Sequence, residues 1–248
     1  LYGYANPALL TYVERLENAF AWSTTTDPLR LANQWGLFTA LPRLGFGMIR
    51  QKSTGHSVSE YHIGLSGGDR RFSVGVSVGW VGGHTEFFRR QSHFVLGGLW
   101  RPNPYLSAGA TLTANYSIAR REVALDLAVR PLGNERLTLF ADYANAPRGS
   151  ADFWSAGAIL EVVPGLALTS RYFDNKTISL GLRLDLGAVG TQTQSRFDRD
   201  GERTFETYAL RFGSLQPNVL HALFKPQPHY VELKLSGPVR HRRYAFFD

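Results

Sequence analysis

The sequence predicts an all-β fold, an antiparallel up-and-down transmembrane β-barrel of about fourteen strands with a short N-terminal helical segment. Three observations predict it. Apolar and polar residues alternate with period two in segment after segment. The segments run to about ten residues, enough to cross a bilayer at a tilt and longer than the usual soluble strand. The polar faces carry Gly, Ser, Thr and Ala rather than Lys and Glu.

The alternation is plain along the chain. Over 72–80, Phe72, Val74, Val76, Val78 and Trp80 form one face, and Ser73, Gly75, Ser77 and Gly79 the other. Over 106–116, Leu106, Ala108, Ala110, Leu112, Ala114 and Tyr116 oppose Ser107, Gly109, Thr111, Thr113 and Asn115. Further on, Val123, Leu125, Leu127 and Val129 oppose Glu122, Ala124, Asp126 and Arg130. Near the end, Ile178, Leu180, Leu182, Leu184 and Leu186 oppose Ser179, Gly181, Arg183 and Asp185. A soluble sandwich or lipocalin-like barrel also alternates, with its apolar face inward. Small, weakly charged polar faces and successive long hairpins favour the membrane form.

Strands are expected near 16–23, 33–41, 43–50, 58–66, 70–81, 91–101, 104–116, 120–130, 135–144, 152–162, 165–173, 176–187, 190–197 and 203–213. Turn residues fall after every second strand: Pro42, Gly67-Gly68-Asp69, Pro102-Asn103-Pro104, Pro131 with Gly133-Asn134, Pro164-Gly165, and Gly187 with Gly190. The intervening connections, such as 51–57 and 82–90, are expected to be longer. Bacterial barrels have short periplasmic turns and longer outer loops, and an even strand count puts both termini on the periplasmic side. The expected location is therefore the bacterial outer membrane.

If the apolar faces meet lipid, the polar faces meet the lumen. That places Glu122, Asp126, Arg130, Asp142, Glu161, Arg171, Arg183, Asp185 and Arg211 inside. Their mixed signs argue against strong ion selectivity and suit a network of ion pairs that satisfies buried charge. Trp80, Trp100, Tyr116, Tyr143 and Tyr172 end apolar faces and are expected to form an interfacial aromatic girdle.

Composition is consistent with this. Charged residues are 19% of the 248, aromatics 13%, and there are 25 glycines and no cysteine. Disulfides and thiolate metal sites are thereby excluded. The net charge of +7 comes without a nucleic-acid-binding motif, so no nucleic-acid partner is expected. The chain opens on Leu1 and its single methionine is Met48, which suggests a processed or truncated product.

Residues 1–13 do not alternate, and Asn6-Pro7 suits the start of a short helix. Asn6-Pro7-Ala8, the apolar segment after it, a first strand through Leu16-Glu17-Asn18-Ala19-Phe20, and Leu44-Gly45-Phe46-Gly47 in the next hairpin resemble the fatty-acid-transporter-like outer-membrane barrels. That superfamily includes the fourteen-stranded shuttle barrel of type IX secretion. The resemblance implies transport of hydrophobic solutes or a docking role.

Tyr208, Leu210 and Phe212 share one face of the last expected strand, an alternating end that resembles a barrel-assembly signal. The chain continues through a linker with Pro217, Pro226 and Pro228 into a new alternating run, Tyr230-Val231-Glu232-Leu233-Lys234-Leu235, ended by Gly237-Pro238. This run resembles the opening strand of signal peptide peptidase A, which implies a periplasmic Ser/Lys peptidase domain beyond Asp248. A tail that pairs with a partner strand is the alternative. We therefore divide the chain into an N-terminal lumenal or periplasmic segment at 1–14, a barrel at 15–213, and a linker and stub at 214–248.

Catalytic residues are not expected in this chain. Gly64-Leu65-Ser66-Gly67-Gly68 superficially matches a nucleophile elbow, but it joins two strands rather than a strand and a helix. Asp198-Arg199-Asp200-Gly201-Glu202 is too short for an EF-hand. The histidines at 56, 62, 84, 93, 221, 229 and 241 show no metal-ligand spacing, so neither metal nor cofactor is expected. The functional expectation is a membrane anchor or docking platform for a periplasmic domain or protein partner, surrounded by outer-membrane lipid. The alternative is a transporter or porin for hydrophobic solutes.

Overall fold

The computed structural model describes residues 4–25, 33–53, 55–88, 90–116, 121–145 and 153–213. Fourteen strands form one closed sheet. They are β1 (Glu17–Thr25), β2 (Asn33–Leu41), β3 (Leu44–Ser53), β4 (His56–Gly68), β5 (Phe72–Gly83), β6 (His93–Asn103), β7 (Leu106–Asn115), β8 (Arg121–Val129), β9 (Leu137–Asn145), β10 (Phe153–Val163), β11 (Leu166–Phe173), β12 (Ile178–Asp185), β13 (Val189–Phe197) and β14 (Arg203–Gly213). Each strand pairs antiparallel with its sequence neighbour, and β1 closes on β14 with Glu17 opposite Gly213 and Thr25 opposite Phe205. Closure leaves no unpaired edge, as a sheet in hydrocarbon requires. The strands lie within three residues of the expected limits at each end.

The sheet is apolar on the outside. On β5, Phe72 is 57% exposed and Val76 49%, whereas Ser73 and Ser77, each the next residue in sequence, are 0% and 2% exposed. A water-soluble barrel would reverse this order, because burying apolar surface drives its folding. Here Val123, Leu125, Leu127, Leu168, Leu180 and Leu182 are all exposed on outward faces. A contiguous apolar band of this extent requires an apolar surrounding.

The β4–β5 turn is built on Asp69, whose carboxylate accepts hydrogen bonds from the Arg71 N–H at 2.7 Å and the Phe72 N–H at 2.8 Å. Those backbone donors, Phe72 first and then Arg71, hold its carboxyl below the usual carboxylate range. Asn103 makes the same kind of turn between β6 and β7, accepting from Tyr105 N and Leu106 N. Pro164-Gly165 joins β10 to β11, and Gly165 takes the positive φ of 94° that a type II turn needs after proline. The short turns share one end of the barrel with the start of β1 and the end of β14.

One expected loop is absent. The connection expected at 51–57 is a tight hairpin, with Ser53 opposite His56, because the β3 and β4 ladders run beyond their apolar sections.

The expected N-terminal helix is a 3-10 turn, Pro7–Tyr12, with Pro7 in its first turn and Asn6 as N-cap. Asn6 Oδ1 accepts from Ala8 N at 3.0 Å. The segment lies inside the barrel against β3–β6, with Pro7, Ala8, Leu10 and Tyr12 buried. The last expected segment, 214–248, lies outside the described residues.

Candidate functional site

The lumen is the candidate site, and the N-terminal segment acts as a plug on one of its walls. The inner faces of β4, β5 and β6 carry Gly64, Gly75, Gly79 and Gly97, with Gly75 directly opposite Gly97. Gly64, Gly75 and Gly97 make room for the plug, and Gly79 for the rings of His62 and His93. A Cβ at Gly75 would stand 2.5 Å from Pro7 C and 2.6 Å from Ala8 N. A Cβ at Gly64 would meet Leu10 Cδ1 at 3.3 Å. Apolar contacts fill the seat: Leu10 and Val13 cluster with Ala19, Phe38 and Ala40, while Ala8 and Tyr12 pack on Leu99. Polar groups pin the backbone. Ser73 Oγ donates to Ala8 O at 3.1 Å, Asn6 Nδ2 to Gly98 O at 3.3 Å, and the Tyr12 hydroxyl to Arg70 O at 2.7 Å. The Arg101 guanidinium lies 4.3 Å from the centre of the Tyr12 ring.

Ahead of the plug, a polar cluster gathers on the inner wall. Glu60 and His62 project inward from β4, two residues apart on one face, and both are buried. Gly79 of β5 stands opposite both His62 and, on its other side, His93 of β6. Glu60 Oε1 receives the Tyr4 hydroxyl at 2.6 Å and lies 2.8 Å from His62 Nε2. Glu60 Oε2 receives Arg90 Nη1 at 3.2 Å. The rings of Tyr4 and His62 are 4.3 Å apart, and those of His62 and His93 4.9 Å. The plug is thus tied to the wall at both ends, by Tyr4 and by Tyr12.

Of the nine charged residues expected inside, eight lie at inward positions of β8 to β12 and β14, and Arg130 directly follows β8. Arg171 Nη2 pairs with Asp142 Oδ2 at 2.9 Å, and Ser155 Oγ donates to the same carboxylate at 2.9 Å. Near the turn end, Asp185 lies 3.3 Å from Arg183 Nε and 3.9 Å from Arg211 Nη1. Asp126 and Asn6 of the plug flank Gly109, where a Cβ would stand 3.1 Å from Asp126 Oδ2 and 3.5 Å from Asn6 Nδ2. Glu161 Oε1 accepts from Gly165 N at 3.2 Å and so braces the β10–β11 turn. Arg130 lines a cavity at the turn end, and Glu122 is exposed at the loop end of β8.

That cavity, about 270 Å³, opens beside Tyr12. Its lining includes Arg70, Arg71, Arg101, Arg130 and Tyr105, and Arg70 Nη2 pairs with Glu14 Oε1 at 2.6 Å.

Trp80, Trp100, Tyr116, Tyr143 and Tyr172 are all exposed on the outer surface. Trp100 sits at the turn end and the other four at the loop end. The sequence reading missed Trp22, Trp35, Tyr61, Trp154 and Tyr208, which also face outward in the loop-end half. They pack on neighbours across strands, Trp22 on Tyr208 at 5.4 Å, Tyr61 on Trp80 at 5.8 Å and Trp154 on Tyr172 at 6.0 Å. Cross-strand register, which the sequence does not state, is what joins them.

Sequence reasoning also missed the Glu60–His62–His93 group and the inward aromatics. Glu60-x-His62 is a visible period-two pair, but His93 joins it only through the β4–β5–β6 register. Phe140 and Phe173 interrupt an otherwise polar inner face. Arg171 covers them at 5.0 and 5.8 Å from the ring centres, and Arg196 lies 4.2 Å from that of Phe173.

Asp198 is a turn residue. Its carboxylate accepts from Asp200 N and Glu202 N between β13 and β14.

No family model matches the sequence, and no curated protein matches it by sequence. Solved structures do match the fold. The outer membrane protein Omp33 of Acinetobacter baumannii aligns with a TM-score of 0.55 at 7% identity, over 82% of this chain and 99% of that one. A triple mutant of the Rhodopseudomonas blastica porin aligns with a TM-score of 0.50 at 10% identity, over 79% of this chain and 98% of that one. The chain therefore has the fold of an outer-membrane β-barrel.

Proposed function

We propose that this protein is an outer-membrane channel for small polar solutes, with a preference for anions. The lumenal wall facing the plug carries the reading. Asp142 with Arg171 and Asp185 with Arg183 and Arg211 line that wall, and the inward aromatics lie under guanidinium groups. A path for hydrophobic solutes would present apolar surface there. Barrels of about eight strands are filled by their own side chains, whereas sixteen or more leave a water channel. Fourteen strands lie near the channel end of that range, and the plug rests against β3–β6. Four arginines line the turn-end cavity, Arg70 among them paired with Glu14, and this local density of positive side chains favours negative solutes.

In this reading the short-turn end, with the start of β1 and the end of β14, faces the periplasm, as in other bacterial barrels. The fatty-acid-transporter and peptidase resemblances would lead instead to lipid uptake or an anchored protease. The docking reading rested on residues 214–248, which lie outside the described residues.

The test is planar-bilayer recording of the purified chain in a KCl gradient. We expect steady conductance with a reversal potential displaced toward that of chloride. Arg101→Glu combined with Arg130→Glu moves the potential toward that of potassium. A barrel that conducts no ions and admits no small sugar into liposomes would overturn the channel reading.

A further inference from the structure

We propose that Glu60, His62 and His93 form a lumenal binding site for a divalent transition-metal ion of the zinc class. One ligand atom from each residue lies within 4.8 Å of the others, a spread that a modest contraction around an ion would close. Glu60 Oε1 is 2.8 Å from His62 Nε2 and 4.0 Å from His93 Nε2. Two imidazoles and one carboxylate suit Zn²⁺, Ni²⁺, Co²⁺ or Cu²⁺ rather than the all-oxygen shells of Ca²⁺ and Mg²⁺.

The site is built by the fold. Gly79 lies between the two histidines in the β4–β5–β6 register. A Cβ at Gly79 would stand 2.8 Å from both His62 Nε2 and His93 Cε1. The missing side chain lets the two rings converge on the carboxylate.

His93 Nδ1 lies 3.1 Å from Gln91 O, and a carbonyl can only accept. The proton therefore sits on Nδ1, and Nε2 turns its lone pair toward Glu60. Metal-binding histidines are oriented in this way, by a backbone carbonyl or carboxylate on the far nitrogen. That lone pair and Glu60 Oε1, 4.0 Å away, are both electron-pair donors facing a common point, as two ligands of one ion would.

His62 is the more enclosed of the two imidazoles. Its side chain is 5% exposed, and Nδ1 is buried without a hydrogen-bond partner. Most buried polar side chains find a hydrogen-bond partner, and for His62 it is Glu60 Oε1 on Nε2. This one is held by its contacts with Glu60 and the neighbouring rings.

An ion-pair cluster alone is the competing account, since Arg90 already faces Glu60 Oε2. The two accounts differ in what Arg90 does. Its side chain is 41% exposed, and in the metal account it stands close to a second cation. Removing it then tightens metal binding. The Tyr4 hydroxyl, 2.6 Å from Glu60 Oε1, brings the plug to the edge of the site.

The experiment is isothermal titration of the full chain in detergent micelles with ZnCl₂ at neutral pH, joined to Cu²⁺ electron paramagnetic resonance. We expect one saturable site per chain and nitrogen hyperfine splitting from two imidazoles. His62→Ala and His93→Ala each weaken binding by at least about tenfold, and Arg90→Ala strengthens it. His56→Ala with His84→Ala, at an outer histidine pair whose rings are 4.8 Å apart, leaves that site intact. The heat-dependent shift of the folded barrel in electrophoresis confirms that each variant is folded. The proposal is overturned if Zn²⁺ binds only at millimolar concentration. It also fails if folded His62→Ala and His93→Ala chains keep the site, which would place the ion on other histidines.

Discussion

Gly75→Ala tests the seating of the plug with the smallest available perturbation. Its added Cβ would lie 2.5 Å from Pro7 C and 2.7 Å from Pro7 O, against an ordinary contact near 3.4 Å. The obstructing atoms are backbone, so no rotamer change relieves the clash. The plug must retreat by the difference between those separations, about 0.9 Å, because packed interiors have little slack. The same movement stretches the Ser73–Ala8 hydrogen bond from 3.1 Å to about 4 Å, past bonding distance. Overpacking of this kind costs roughly 1–3 kcal/mol and the hydrogen bond about 1 kcal/mol. Together they weaken the seat by about 3 kcal/mol, or roughly a hundredfold in the seated-to-free ratio. Hydrogen exchange should then show faster exchange in the Pro7–Tyr12 peptide, with protection of the barrel strands unchanged. Single-channel conductance should rise. Gly98→Ala is the control, since nothing lies within 4 Å of a Cβ there. Equal protection of the plug in wild type and Gly75→Ala would refute the seating.

Three further outcomes follow from the same geometry. Val76→Arg places a charge in the middle of the outer face of β5 and should destabilise folding into vesicles by about 2–4 kcal/mol, read from the urea dependence of the folded electrophoretic band. Arg171→Met leaves Asp142 inside without the guanidinium that pairs with it at 2.9 Å, and should destabilise the barrel by about 3 kcal/mol; adding Asp142→Asn should recover more than half of that loss. Asp69 has a depressed carboxyl pKa in the fold, so its stabilising effect is full above the unfolded value of about 4 and is lost as pH falls through the lower, folded one. Exchange of the Phe72 amide should therefore accelerate on acidification in the wild type, and Asp69→Asn should abolish that part of the dependence.

The barrel was legible because each spanning strand records two environments in alternate residues. Over 72–80 no register is needed to separate Phe72, Val74, Val76, Val78 and Trp80 from Ser73, Gly75, Ser77 and Gly79. What two distant residues do together was not legible. Asn6-Pro7 announced a short helix, but its seat depends on Gly75 standing opposite Gly97, a relation that exists only once β5 and β6 are paired. His62 and His93 meet across Gly79 for the same reason. The sequence could list the inner charges but could not say which of them meet. Asp142 finds Arg171 two strands away, while Glu161 turns to a local backbone N–H. Phe140 escaped notice because a face that reads Thr138, Phe140, Asp142 has no clear polarity until Arg171 is seen above the ring.

The inner face of β5 carries this distinction further. Ser73 is 0% exposed and Ser77 2%, and Ser73 Oγ donates to Ala8 O of the plug. Plug and wall therefore supply their surroundings, and Gly75 is small because Pro7 and Ala8 occupy the space beside it. On β12 the inward Asp185 instead meets Arg183 at 3.3 Å and Arg211 at 3.9 Å. The inner surface is thus divided into a wall shaped to hold the chain's own N-terminus and a charged wall that faces it. Solute passage, if the channel reading holds, runs along the charged wall. Charge substitutions there should alter selectivity, whereas glycine substitutions on β5 and β6 should alter gating. A Gly75→Ala chain with unchanged ion selectivity but larger conductance would separate the two walls experimentally. A change in selectivity with no change in conductance would show that the plug, rather than the β9–β14 wall, lines the path.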